Sequence, residues 1–152
     1  MKGYIGDQGA TKSTIDAEGW LHTGDVGFYD EEGYFFITDR LKRMINASGF
    51  KVWPAEVEAL LFRHPAVQEA CIIAARDAYR GETVKAVVVL RADAKVTELE
   101  LRQFCAISLA AFKVPRHIVF LEAIPRTSLG KLQRTLLAQQ FQNARTAQTA
   151  KA

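Results

Sequence analysis

The sequence predicts an α+β fold, a small sheet flanked by helices and preceded by a β-hairpin. Three observations carry this class. Two β-branched runs, "VQEACIIAARD" and "TVKAVVVLR", are joined by the turn-like "AYRGE" and read as strands. Two other segments carry helix-start signals, Pro54 in one and Thr97 with Glu100 in the other. The full order, hairpin, hairpin, α, β, β, α, β, α, suits helices laid over a small sheet.

Taken in order, "MKGYIGDQGATKSTIDAEGW" is rich in glycine and polar residues, has no usable period and reads as an extended surface loop. Asp30-Glu31-Glu32-Gly33 is a turn between Val26-Gly27-Phe28-Tyr29 and Tyr34-Phe35-Phe36-Ile37, which makes a β-hairpin. "RMINASGFKVW" alternates apolar and polar residues and breaks at Ser48-Gly49, a second short hairpin. Pro54 opens a helix whose inner stripe is Val57, Leu60 and Leu61, and Pro65 ends it. After the two β-branched strands, the Thr97 capping box starts a helix with Leu101, Phe104, Cys105, Leu109 and Phe112 inward. "HIVFLEAI" is a strand, and Gln133 to Phe141 form a last short helix. The division expected from this pattern is 1–40, 41–142 and a disordered polar tail, 143–152. Residues 41–142 can make a core alone. Residues 1–40 are too thin to do so, since a lone hairpin is marginal in water, and they read as the end of a larger domain.

Composition excludes several function classes. The chain is 49% hydrophobic and 24% charged, as in a globular protein. No apolar run approaches the roughly 20 residues of a membrane helix, and the N-terminus lacks a secretory pattern. Cys71 and Cys105 lie in apolar segments and read as buried thiols of a reducing compartment, which points to the cytoplasm. The net charge of +3 is spread along the chain and offers no basic stripe for a nucleic acid. "GATKST" lacks the glycine that a phosphate loop needs directly before its lysine. His22, His64 and His117 are unpaired with ligands at metal spacing, so no metal site is expected. No serine sits in a nucleophile-elbow context.

Three places hold candidate chemistry. Asp25, in "HTGDVG", can accept hydrogen bonds from two vicinal hydroxyls of a ribose; spacing alone favours an Asx turn capping the hairpin. Arg40 ends the return strand and can come near Asp25, as a surface ion pair or as part of a site. Lys131 follows Gly130, with Leu129 and Leu132 as anchors on either side and a helix start close behind. A lysine so placed can serve as a point charge toward a phosphate, though spacing alone favours a solvated loop lysine.

The three stretches "GWLHTGDVG", "GYFFITDRLKRMINASGFKVWPAEVE" and "PRTSLGKLQR" together resemble, in order, the late motifs of AMP-forming acyl-CoA synthetases of the adenylate-forming superfamily. The middle stretch is most similar to the fatty-acyl branch. The resemblance implies the C-terminal mobile domain of such an enzyme, preceded by the hairpin end of its large AMP-binding domain. It implies a two-step reaction of a fatty acid with ATP and CoA, through an acyl-adenylate, to acyl-CoA, AMP and pyrophosphate. It assigns ribose contacts to Asp25, nucleotide support to Arg40, the adenylation lysine to Lys131 and the hinge to Lys42. The pantetheine channel falls to Ser48, Gly49 and Phe50, and CoA phosphate contacts to Lys51, Arg80 and Lys113. Mg2+ would be held mainly by the large domain. Met1-Lys2-Gly3-Tyr4 resembles an internal stretch of these enzymes, so the chain alone is expected to be inactive in adenylation. Rival readings are a ligase for aromatic or other acids and a non-catalytic module that binds a nucleotide or a partner.

Overall fold

The structure, a computed structural model, describes residues 1–141; the tail expected from residue 143 lies outside them. The chain divides into two compact units, Met1–Lys42 and a second that begins at Arg43.

The first unit begins with a correction. Gln8–Thr14 form a helix, α1, where an extended loop was expected. Asp7 starts it, its carboxylate accepting from Ala10 N–H at 2.8 Å, and Ile15 N–H closes it onto Thr11 C=O. None of its residues is buried, so no apolar period could announce it. β1 (Asp25–Tyr29) and β2 (Phe35–Arg40) pair antiparallel, as expected. The Asp30 carboxylate closes the turn by accepting from Glu32 and Tyr34 N–H. At a register shift after Val26, Gly27 comes so close to β2 that a Cβ there would collide with the Phe36 carbonyl oxygen. The glycine is therefore required by the close approach of the two backbones.

The second unit is built on a five-stranded sheet. β3 (Ile45–Ala47) and β4 (Phe50–Val52) form the short second hairpin. β5 (Val67–Asp77) and β6 (Gly81–Leu90) pair antiparallel over their length. β6 also meets β3 at Ala47–Gly81 and takes β7 (His117–Phe120) as a parallel partner. Because strand side chains alternate, β6 feeds two cores. Val84, Ala86 and Val88 face a first cluster with Val57, Leu61, Leu101 and Cys105 of α2 (Pro54–Leu61) and α3 (Glu98–Ser108). Val87 and Val89 face a second cluster with Cys71, Ile73, Ile124 and Leu137 of α4 (Arg134–Gln140). Coverage on both faces explains why β5 and β6 read as continuous apolar runs although they are antiparallel.

The capping box forms as read: Thr97 Oγ1 accepts from Glu100 N–H, and the Glu100 carboxylate accepts from Thr97 N–H. Helix ends differ from expectation in two places. α2 stops at Leu61, before Pro65, because its last turn tightens, with Arg63 N–H on Leu60 C=O and His64 N–H on Leu61 C=O. α3 stops at Ser108, so Leu109 and Phe112 lie past its end yet still pack against the first cluster. β7 spans only the first half of "HIVFLEAI", and Ile124 is buried from the loop beyond it.

Candidate functional site

In the first unit, the antiparallel register sets Asp25 directly opposite Arg40. Arg40 Nε lies 2.9 Å from Asp25 Oδ1, so the carboxylate serves an ion pair and not the Asx turn favoured by spacing. Asp25 is half-buried and Arg40 exposed. The geometry leaves Asp25 Oδ2 and the Arg40 terminal nitrogens without a partner among the described residues, open to a ligand. A carboxylate steadied at one oxygen and open at the other suits a diol. Lys42, exposed, is the last residue of this unit and the middle of a single 3-10 turn, Leu41–Arg43.

In the second unit, Ser48 and Gly49 make a two-residue turn with φ of 55° and 87°. Positive φ at both central positions is the turn whose twist fits a tight hairpin. Serine is unusual there, and a strained residue at an exposed corner is a common feature of functional sites. The corner is tied down on two sides. Ser48 N–H donates to Arg80 C=O at 3.1 Å, and the Asn46 carboxamide oxygen accepts from Gly49 N–H at 2.9 Å. Phe50, 55% exposed, stacks on Phe112 with ring centroids 4.6 Å apart. Lys113, beside Phe112, is held by both oxygens of Glu56, at 2.6 and 2.8 Å. The structure thus gathers Ser48, Gly49, Phe50 and Arg80 at one corner and places Lys113 next to the ring that Phe50 stacks on. Lys51, exposed on β4, lies opposite Asn46 in the hairpin register. Phe112, expected only as an inward residue of the helix opened by Thr97, and Glu56, which has no local signal in the sequence, fix this corner.

Lys131 stands on a small hairpin. Thr127 N–H donates to Lys131 C=O at 2.8 Å, Lys131 N–H to Thr127 Oγ1 at 3.2 Å, and Arg126 bridges to Leu132. Gly130, φ 78°, allows the bend. Only one of the two expected anchors holds: Leu132 packs against the second cluster, while Leu129 is 83% exposed. The Lys131 side chain is exposed, and its ammonium has no partner among the described residues. Two arginines flank it. Arg126 donates to Gly130 C=O and pairs with Glu69 of β5 at 2.8 Å. Arg134 pairs with Glu58 of α2, Nη2 to Oε2 at 3.0 Å. Neither acidic partner is signalled locally, since each lies more than fifty residues earlier in the chain.

The two candidate stations of this unit hang from opposite faces of one sheet. The Phe50 corner is braced by Phe112 on the first cluster, and the Lys131 hairpin is seated through Leu132 and α4 on the second. Buried cysteines complete the two cores. Burial pushes the Cys71 thiol up to about 11, with Arg134 opposing, and the Cys105 thiol also up to about 11. Both are therefore neutral packing groups near pH 7, and neither is a nucleophile. Among the described residues, no three His, Cys, Asp or Glu side chains are grouped to hold a metal ion, and no helix is long and apolar enough to cross a membrane.

Residues 56–131, half of the chain, match the AMP-binding enzyme C-terminal domain family. The chain belongs to that family. Its α+β fold is the one found in the C-terminal domain of adenylate-forming enzymes. This AMP-binding C-terminal domain is similar to CoA ligases. It is 45% identical to a long-chain-fatty-acid–CoA ligase of Bacillus subtilis over 94% of this chain and 26% of that protein. It is 43% identical to 4-coumarate–CoA ligase 3 of rice (Oryza sativa subsp. japonica), over 88% of this chain and 24% of that one. Among solved structures, ATP-bound MatB from Rhodopseudomonas palustris superposes with a TM-score of 0.89 at 35% identity, covering 93% of this chain and 28% of MatB. The chain thus spans about a quarter of the length of these relatives.

Proposed function

We propose that this chain is the C-terminal segment of an ATP-dependent, AMP-forming acid–CoA ligase, and that the acid is a long-chain fatty acid. The observation that carries the reading is the pair of stations on opposite faces of the second unit. One sheet presents from one face an ammonium without a partner among the described residues, and from the other a strained, aromatic-braced corner. Turning such a unit about Lys42 would exchange the two against a shared site on a large N-terminal domain, the partner this reading requires.

In the first half-reaction the carboxylate of the acid attacks the α-phosphate of ATP and pyrophosphate leaves. Two anions approach one another, so a lysine ammonium between them offsets the charge that builds in the transition state. Lys131 takes that role. Asp25 accepts from the ribose hydroxyls through the oxygen that Arg40 leaves open, and Arg40 holds Asp25 oriented while its terminal nitrogens face the nucleotide. In the second half-reaction the CoA thiol displaces AMP. Ser48, Gly49 and Phe50 line its pantetheine arm, with Lys51, Arg80 and Lys113 toward its phosphates. Lys113 is neutralised by Glu56 in this structure, so it reaches a phosphate only by leaving that pair. Mg2+ belongs in this reading to the ATP phosphates and the large domain, and no step of this chain's residues uses it. The two neutral thiols suit a reducing cytoplasm.

The fatty-acid assignment is supported by the B. subtilis relative, and 4-coumarate is the alternative acid, since its ligases match at nearly the same identity. The test is made on the intact ligase carrying this segment, by following pyrophosphate release and acyl-CoA formation with a long-chain fatty acid and with 4-coumarate. Faster turnover of the fatty acid is expected, and a preference for 4-coumarate would reassign the substrate. Lys131→Ala is expected to slow pyrophosphate release by roughly 10²–10³-fold, the scale of losing one preorganised electrostatic contact. Thioester formation from supplied acyl-adenylate should persist. Equal loss in both half-reactions would refute the role of Lys131.

A further inference from the structure

The Lys131 hairpin docks on the sheet at a place that the two half-reactions do not explain. Among the described residues β5 pairs with no strand but β6, so its other edge is open there, and an open edge exposes unpaired backbone groups. At Ile72 both of those groups are taken by side chains. Ile72 N–H donates to Glu58 Oε1 at 2.7 Å, and Ile72 C=O accepts from Arg134 at 3.4 Å. Arg134 and Glu58 are also joined to each other as a two-pronged fork, and Arg134 touches Cys71 Sγ at 3.3 Å. The two side chains are only 22% and 12% exposed.

We infer that Glu58 and Arg134 are positioning residues for Lys131: their ion pair, seated on the open edge of β5 at Ile72, fixes the hairpin that carries the catalytic ammonium. The inference rests on the adenylation role proposed for Lys131. Lys131 and Arg134 are three residues apart, so the chain between them spans at most about 11 Å and a shift at the fork is felt at the ammonium. The hairpin's own hydrogen bonds keep its shape but do not attach it to the sheet. Leu132 also packs the hairpin onto the second cluster, and the competing polar tether, Arg126 with Glu69, is more exposed at 45% and 31% and uses one guanidinium nitrogen to reach that carboxylate. Exposed pairs of that kind contribute little, whereas a planar guanidinium facing both oxygens of a desolvated carboxylate fixes direction as well as distance.

The test compares Glu58→Gln, Arg134→Lys, Glu69→Gln, Val57→Ala and Lys131→Ala in the intact ligase. Val57→Ala loosens the same helix without touching the pair. Each variant is assayed for pyrophosphate release and, separately, for thioester formation from supplied acyl-adenylate. Glu58→Gln and Arg134→Lys keep the shape of the site and spoil the fork. They are expected to lower pyrophosphate release by up to about 100-fold, the scale of a misplacement near 1 Å, and to leave thioester formation unchanged. Glu69→Gln and Val57→Ala should keep the wild-type ratio of the two rates. If Lys131→Ala is selective for the first half-reaction but Glu58→Gln and Arg134→Lys lower both or neither, the positioning role is wrong and the role of Lys131 stands. If Glu69→Gln is as selective as Glu58→Gln, the buried fork is not the determinant. If Lys131→Ala itself is not selective, the reading beneath the inference fails, and the inference with it.

Discussion

Leu137 is the only fully buried residue of α4, and the helix that follows Lys131 depends on it. α4 has seven residues, far fewer than the roughly 12–15 at which an isolated helix becomes even marginal, so its existence rests on attachment. Three attachments are visible: the Arg134–Glu58 fork at its start, Leu137 in its middle, and Lys85 Nζ donating to Phe141 C=O at its end. Leu137→Ala removes the middle one and opens a cavity among Cys71, Ile73, Val87, Val89 and Ile124. Large-to-small changes at such sites cost about 2–5 kcal/mol. At about 4–8 °C per kcal/mol for a unit near 100 residues, a mid-range loss of about 3.5 kcal/mol lowers the melting temperature by roughly 14–28 °C. Urea titration of the 152-residue chain, followed by far-UV dichroism and tryptophan fluorescence, measures the loss, and amide exchange locates it. Amides of α4 and the Lys131 hairpin should exchange faster, while those of β6 follow the global loss alone. A change in stability below about 1 kcal/mol would refute the reasoning, because it would mean that the second cluster does not need α4.

Three further outcomes follow from the structure. Gly27→Ala puts a Cβ against the Phe36 carbonyl oxygen, so β1 and β2 must separate there; cross-strand NOEs between Asp25 and Arg40 should weaken, and their retention would show that the approach is not tight. His117 is held below its ordinary value of 6.5, by burial first and then by Lys85, Arg116 and Arg102, against Glu98. The unfolded chain therefore takes up this proton first as pH falls through 6.5, and stability is lost from there down to the lower folded value; His117→Gln should flatten that limb of a stability–pH curve and leave the curve above 6.5 unchanged. Phe50→Ala removes the stack on Phe112 at the Ser48-Gly49 corner, and should slow thioester formation more than pyrophosphate release; the reverse order would detach this corner from CoA.

Most of the fold is legible because its signals are local. The β-branched runs 67–77 and 81–90, the Thr97–Glu100 box and Pro54 at a first helical turn each dictate structure within a few residues. α1 was missed for the opposite reason. It buries nothing, so the only sign of it is Asp7, a capping residue ahead of a polar stretch that hydrophobic periodicity passes over. Leu129 was misread because an apolar residue beside a glycine looks like an anchor in sequence, whereas the hairpin turns it outward.

The candidate site divides along the same line. Asp25, Arg40, Ser48-Gly49 and Lys131 stand in motifs, and antiparallel register alone brings Asp25 onto Arg40. What holds Lys131 in place is not local. Arg134 is visible three residues after it, but the carboxylate it meets is Glu58 on α2, and the backbone groups both of them cap belong to β5. Three segments distant in sequence converge on one edge of the sheet, and nothing in the spacing of any of them requires it. Residues proposed to touch substrate can be read from motifs because the proposed chemistry fixes their type. Residues that position them are fixed only by the packing of the whole unit, so Glu58, which looks like an ordinary helical surface acid in sequence, becomes recognisable only once α2, β5 and α4 are assembled.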